Sequence, residues 1–281
     1  KHWLNVMVHP DNSLSFFNDT TNEVAPSNQE LSQYCLRVFK TDFKRSHTAL
    51  ENLRQSGYVA IDRYSSYLIV DVGRIGLQYN PGHAHADTLS FELSIHGKRA
   101  LVNSGISTYE INKERSWQRG TSAHNTVSID NQDSSEVWSS FRVARRAKTF
   151  DLKVIDKPNQ ISVSCSHDGY KRLRGSPVHT RLWKLNSNSL KIEDKISGVF
   201  SIAKARYYFH PDITIKLDEL KKCGKAYISQ DLLFKFEIKN GYGYVDESLH
   251  YPSFEEKEPN KCLIIECVDK EACLVLNWSE V

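Results

Sequence analysis

From about residue 57 onward, apolar positions in this 281-residue chain recur with a period of two. That spacing puts alternate side chains on one face of a strand. Tyr58-Val59-Ala60-Ile61-Asp62-Arg63 and Tyr67-Leu68-Ile69-Val70-Asp71-Val72 read as strands joined by a turn at Ser65-Ser66. The run from Leu89 to Ile95 alternates cleanly and turns at His96-Gly97 into residues 99–102. Further strands are expected at 126–129, 180–185, 190–196, 205–209, 232–238, 263–268 and 272–278. Many short strands separated by turn signals predict an antiparallel sandwich rather than alternating strands and helices.

The first 45 residues lack this alternation. Ser27 and Glu30 form a capping box, in which each side chain satisfies a free backbone donor of the other residue. Behind it Leu31, Tyr34, Cys35 and Val38 recur at helical spacing, which predicts one helix over 28–40. Its apolar face needs a partner, on the β domain or on a part of the protein beyond this sequence. The expected organisation is a helical lead-in over 1–50 and one large antiparallel β-sandwich over 51–281. The fold class is all-β with a short N-terminal helical segment.

Composition narrows the function. Hydrophobic residues make up 40% and charged residues 25%, an ordinary globular balance. The net charge of +3 lacks the dense basic stripe of a nucleic-acid binder. Basic clusters at 142–148 and 171–174 suit an acidic polymer, or are solvated faces. None of the six Cys forms a Cys-x-x-Cys pair, so a thiolate zinc site is not expected. No apolar stretch approaches the ~18 residues of a membrane span. Without an initiator Met, the sequence is expected to begin partway through a longer protein.

Candidate chemistry concentrates in Gly82-His83-Ala84-His85-Ala86-Asp87. If that segment is extended, His83, His85 and Asp87 share one face. Asn103 ends one strand and His124 opens another, so strand ends could bring His85, Asn103 and His124 together. Two imidazoles and an oxygen form a sensible zinc set with an open position. Arg115 and Arg119 flank Trp117 in a loop: the arginines could grip a carboxylate and the indole could stack on a sugar, or the loop is a solvated one with an anchoring aromatic. Tyr109 is a proton-donor candidate or a packing residue with a bonded hydroxyl.

Residues 82–91 resemble the hallmark of heparinase II/III-like polysaccharide lyases. So do Asn103-Ser104-Gly105 with Tyr109, and Arg119 through Val127. The order and approximate spacing agree over roughly 57–150, and the lead-in from Phe17-Asn18-Asp19 to Glu30 resembles the end of the helical toroid that precedes the sandwich. The resemblance implies cleavage of a uronate-containing acidic polysaccharide by β-elimination. It implies His83 as an active-site residue; Arg119 and Tyr109 are the further catalytic candidates on this part of the chain, and Arg115 and Trp117 the candidate substrate contacts. A zinc ion would sit at His85, Asn103 and His124, although the family normally has Asp where this chain has Asn103. The family's catalytic Tyr and its Asn or His partner lie on the toroid, so this part alone is expected to be inactive. A periplasmic or secreted location follows from the same likeness. Two other readings compete. His85, Asp87 and His124 resemble a non-haem iron facial triad, whereas a cupin lacks its Glu at the right spacing. A non-catalytic carbohydrate-binding or scaffolding sandwich is the third.

Overall fold

The computed structural model describes residues 2–40, 48–220 and 222–279. Its sheets are antiparallel. The five-stranded sheet runs in chain order through Leu50–Leu53, Tyr58–Arg63, Ser66–Asp71, Phe91–Ile95 and Lys98–Leu101. The hairpin turn predicted near residue 65 is tight because Tyr64 and Ser65 both adopt positive φ, 58° and 54°. That geometry matches the right-handed twist of paired strands.

An eight-stranded sheet includes the neighbouring strands Thr149–Lys157, Gln160–His167, Val178–Leu185 and Ser189–Ser197. A four-stranded sheet contains Val127–Ile129, Ala203–Tyr208, Tyr242–His250 and Glu258–Glu266. A bridge between Leu101 and Phe209 joins it to the five-stranded sheet. Inward residues of all three sheets meet in one core, among them Phe91, Leu93, Trp183, Ile192, Tyr207 and Leu263. Each such side chain contributes ~1.5–3 kcal/mol through removal from water.

Strand Val178–Leu185 alternates half-buried and buried, as its sequence predicts. Strand Ser66–Asp71 is buried on both faces. Its outer face is covered by the lead-in: Val6, Met7 and Phe17 pack on Tyr58, Ala60, Tyr67 and Ile69. Tyr67 also donates its hydroxyl to the Val6 carbonyl.

Two helices occupy the lead-in, a short one at His2–Val6 and the expected one at Asn28–Phe39. The capping box is present, with Glu30 N donating to Ser27 Oγ at 3.2 Å and Ser27 N donating to Glu30 Oε2 at 2.8 Å. No residue of the longer helix is buried, and Tyr34 and Val38 stay about half exposed. The sandwich therefore does not cover its apolar face.

Glu92 staples the lead-in to the sheet. Its Oε1 accepts backbone N–H groups from Phe16 at 3.0 Å and Asn103 at 2.8 Å, while Oε2 meets His9 Nε2 at 2.8 Å. Gly105 is required close by: it has φ 75°, and a Cβ there would lie 2.1 Å from the Tyr251 carbonyl oxygen.

Candidate active site

The lead-in delivers the central residue of the site. Asn18 adopts φ 54°, a conformation Asn tolerates better than most residues. Its side chain is held twice, donating to the Tyr58 hydroxyl at 3.2 Å and accepting His85 N–H at 3.2 Å. The next carboxylate, Asp19, then faces both histidines of the His-x-His pair. Asp19 Oδ2 lies 2.9 Å from His83 Nδ1 and Oδ1 lies 2.7 Å from His85 Nε2. Arg115 closes the group as a two-pronged fork, with Nη1 on Oδ1 and Nη2 on Oδ2 at 2.7 Å.

Residues 82–87 are turns rather than an extended strand, since Ala84 N–H donates to the Pro81 carbonyl at 2.9 Å. The two histidines therefore diverge: His85 is fully buried, while the His83 side chain is 62% exposed. Asp19 is what brings them to one point. His83 stands near Tyr109 and Phe141, ring centroids 5.9 and 5.5 Å away, on a cleft of about 410 Å³.

Four expectations need correction. Arg115 and Trp117 do not lie in a loop, because Lys113–Arg119 is a helix capped by Asn112, whose side chain accepts Arg115 N–H at 2.7 Å. Arg115 is buried, and its fork is occupied by Asp19 and the Ser140 carbonyl. Trp117 packs instead against Tyr208 of the four-stranded sheet and Tyr251 just past that sheet's strand Tyr242–His250. Arg119 is also enclosed. It donates to the carbonyls of Ala84 at 2.9 Å, Gly82 at 3.2 Å and Ser139 at 3.2 Å, among others, which makes it a clamp on the loop bearing His83. Burial, then the neighbouring Arg115, lowers its pKa to about 10, which still leaves it charged at neutral pH.

Asn103 meets His124, but on the edge of the ring that faces away from His85. Asn103 Oδ1 lies 3.3 Å from His124 Nδ1, whereas His124 Nε2 lies 3.3 Å from His85 Nδ1. Asn125 N–H donates to the same Oδ1 at 3.3 Å, which fixes the amide with its oxygen toward the ring. His124 Nδ1 must then carry the proton, and its Nε2 offers a lone pair. Asp19, likewise an acceptor, fixes the proton of His85 on Nε2 and leaves a lone pair on Nδ1. With those tautomers a lone pair on each ring faces the other. Asn103 orients a ring instead of joining a ligand set.

Burial and these contacts set the charges of the cluster. Burial acts to raise the pKa of Asp19, but hydrogen bonds and charges from His85 and Arg115 outweigh it and hold the carboxyl well below the usual range. Burial lowers the pKa of His85, partly offset by Asp19. Burial and then His85 push His124 well below its ordinary value. Asp87 is buried with Oδ2 unpartnered, and burial pushes it up to about 7. It does not join the imidazoles. Among the described residues no set of three or more His, Cys, Asp or Glu stands together to hold a metal.

Sequence reasoning missed the role of Asp19. A lone Asp in an irregular polar stretch carries no periodicity, and its partners lie 64–96 positions away.

The family model described as heparinase II/III-like, C-terminal, matches residues 45–279. A heparin-sulfate lyase from Bacteroides stercoris is 28% identical over 81 residues, 27% of this chain and 12% of that protein. The heparan sulfate lyase HepC from Pedobacter heparinus has a TM-score of 0.78 at 16% identity, covering 98% of this chain and 46% of that one. The heparinase III BT4657 gene product gives 0.74 at 15%, covering 98% and 45%. At such identities the structural likeness speaks for the fold, and the chain spans less than half the length of these relatives.

Proposed function

The chain belongs to the heparinase II/III-like C-terminal family, and from that premise we propose that it is the sandwich part of a lyase cleaving uronate-containing acidic polysaccharide by β-elimination. The observation that carries this reading is the Asp19 hub, which presents one exposed imidazole, His83, at the mouth of a cleft. Because Asp19 Oδ2 accepts from His83 Nδ1, the Nε2 lone pair is free to act as a base. His83 Nε2 takes the proton from C5 of the uronate, the C–H electrons form the C4=C5 double bond, and the C4–O bond breaks. The leaving oxygen needs a proton. Tyr109 is the hydroxyl beside His83, and burial, then the charge of Asp19, raises its pKa so that it stays protonated as a donor must. Neutralising the C6 carboxylate falls to the rest of the protein, including its toroid, since Arg115 and Arg119 are both bound to protein groups.

The donor set fits the family's zinc in a reduced form. His85 Nδ1 and His124 Nε2, which lie 3.3 Å apart, would hold it. Asp19 and Asn103 orient the two rings from behind. Both rings would be fixed by the bound ion, and Asp19 would carry that order on to His83. An exported location, periplasmic or secreted, goes with a polymeric substrate of this kind.

The test is an ultraviolet assay of the intact gene product on heparan sulfate, heparin and alginate, in which the new double bond absorbs. His83→Ala should lower kcat by ~10²–10⁴-fold. No absorbing product from any uronate polymer would overturn the reading in favour of a binding module, which the two occupied arginines favour.

A further inference from the structure

A wide recess lies outside the Asp19 hub. It is a groove of about 1340 Å³ along the open edge between two sheets. One wall is the turn at 54–57 and the loop at 72–78 of the five-stranded sheet, and the other is the edge strand Thr149–Lys157. Arg54, Arg74 and Lys153 line it, and an adjoining recess that shares Arg74 adds Arg146 and Lys148. No Asp or Glu lines either recess among the described residues.

This imbalance is local. On the sheet faces exposed and half-buried lysines are matched to glutamates, as in Lys195–Glu271, Lys184–Glu193 and Lys204–Glu266. Arg146 donates to the Leu77 and Gln78 carbonyls and is thereby fixed in place. Arg54, Arg74, Lys148 and Lys153 are exposed and pair with no carboxylate among the described residues. Unmatched cations along one concave wall raise the local concentration of an anionic ligand. Two aromatic side chains in the same lining, Trp3 and Phe150, are 47% and 38% exposed and offer flat faces for sugar rings.

The groove is continuous with the cleft that carries His83, for Trp3, Asn18 and Tyr58 line both. Resting on the lyase reading, we infer that the groove is an extended subsite that holds the acidic polysaccharide several sugars away from the scissile bond. Arg54, Arg74 and Lys153 meet its carboxylate or sulfate groups. A linear polyanion sheds counterions when such groups bind it, so the contact weakens as salt rises. Continuity with the His83 cleft favours the sugar polymer over nucleic acid, whose charge would also suit the wall.

The test uses the full gene product and the triple variant Arg54→Glu/Arg74→Glu/Lys153→Glu, with the neutral Arg54→Gln/Arg74→Gln/Lys153→Gln variant as a second form. All three residues are exposed, and thermal melting checks that the variants fold. Affinity for a long heparan sulfate should fall roughly tenfold or more in the charge-reversed variant and less in the neutral one. KM for the polymer should rise in step while kcat and turnover of short oligosaccharides hold. Unchanged affinity and KM in both folded variants would overturn the subsite while leaving the lyase reading standing. Equal binding of a single-stranded DNA of matched charge would overturn it as a sugar site. Charge-dependent heparan sulfate binding with no cleavage would instead sink the lyase reading and keep the groove.

Discussion

Two clusters in this molecule share the same wiring. At the cleft, Asp19 is gripped by the Arg115 fork and by His85 Nε2 at 2.7 Å, and His85 Nδ1 faces His124 Nε2 at 3.3 Å. Inside the sandwich, Asp194 is gripped by Arg181 through Nε at 2.7 Å and Nη2 at 2.9 Å, and by His179 Nε2 at 2.7 Å. His179 Nδ1 then faces His167 Nε2 at 3.2 Å. The difference lies one group further on. His167 Nδ1 accepts the Gly169 N–H at 3.2 Å, so its Nε2 carries a proton and donates to His179. His124 Nδ1 meets the Asn103 oxygen, so its Nε2 has no proton to give. One terminal partner turns an imidazole pair into a closed hydrogen bond, and the opposite partner leaves the facing nitrogens without a proton between them. The inner cluster also supports the outer one, since Arg181 donates to the carbonyls of Leu89 and Asn125, close in sequence to Asp87 and His124.

The most severe way to break this comparison is Asp194→Ala. It leaves Arg181 charged and fully buried without its counter-ion, and urea titration should show a loss of ~3–5 kcal/mol. A loss under 1 kcal/mol would mean that the inner cluster is not the closed ion pair described. Asp19→Asn removes the charge and one of the two accepting oxygens of the shared carboxylate at the edge, where His83 is open to water. Stability should fall less than in Asp194→Ala, while lyase activity of the intact protein drops by roughly 10²-fold and bound zinc decreases. Wild-type metal content in that variant would separate His85 from the hub.

Asn103→Asp sharpens the contrast in the other direction. A carboxylate behind His124 makes the ring a stronger donor, and zinc affinity by competition with a chelator should rise about tenfold. His179→Gln is the control and should leave metal content unchanged.

The smallest effect is set by pH. His167 and His179 have pKa values lowered, by burial first in each case, while unfolded histidine titrates near 6.5. The unfolded chain binds more protons below that value, so stability is complete above about pH 6.5 and declines as pH falls, by at most ~1.4 kcal/mol per group per pH unit. Urea midpoints followed from pH 7.5 to 5.5 would show the decline, and a flat profile would contradict the neutral, hydrogen-bonded pair.

How much of this was legible depended on how local the signal was. The capping box at Ser27 and Glu30 is written within four residues, and strands such as Val178–Leu185 announce themselves by alternation. Strands Thr149–Lys157 and Tyr242–His250 escaped because both run along sheet edges with mostly exposed side chains, where no apolar face is enforced. The helix Lys113–Arg119 was mistaken for a loop, although Asn112 is a good N-cap; seven residues are too few to show a period. His83, His85 and His124 stood out by type and spacing. What joined them, Asp19, and what Asn103 does for His124 depend on contacts far apart in the chain and on which ring nitrogen holds the proton.

The Glu92 staple has a bearing on where this protein can be divided. Its three partners sit on both sides of residue 50, so a truncation there would strand a carboxylate in an apolar wall and strip the cover from Tyr67 and Ile69. A fragment that keeps this sheet covered accordingly reaches back at least to Val6, and any exchange of the sandwich between relatives must carry those first residues with it.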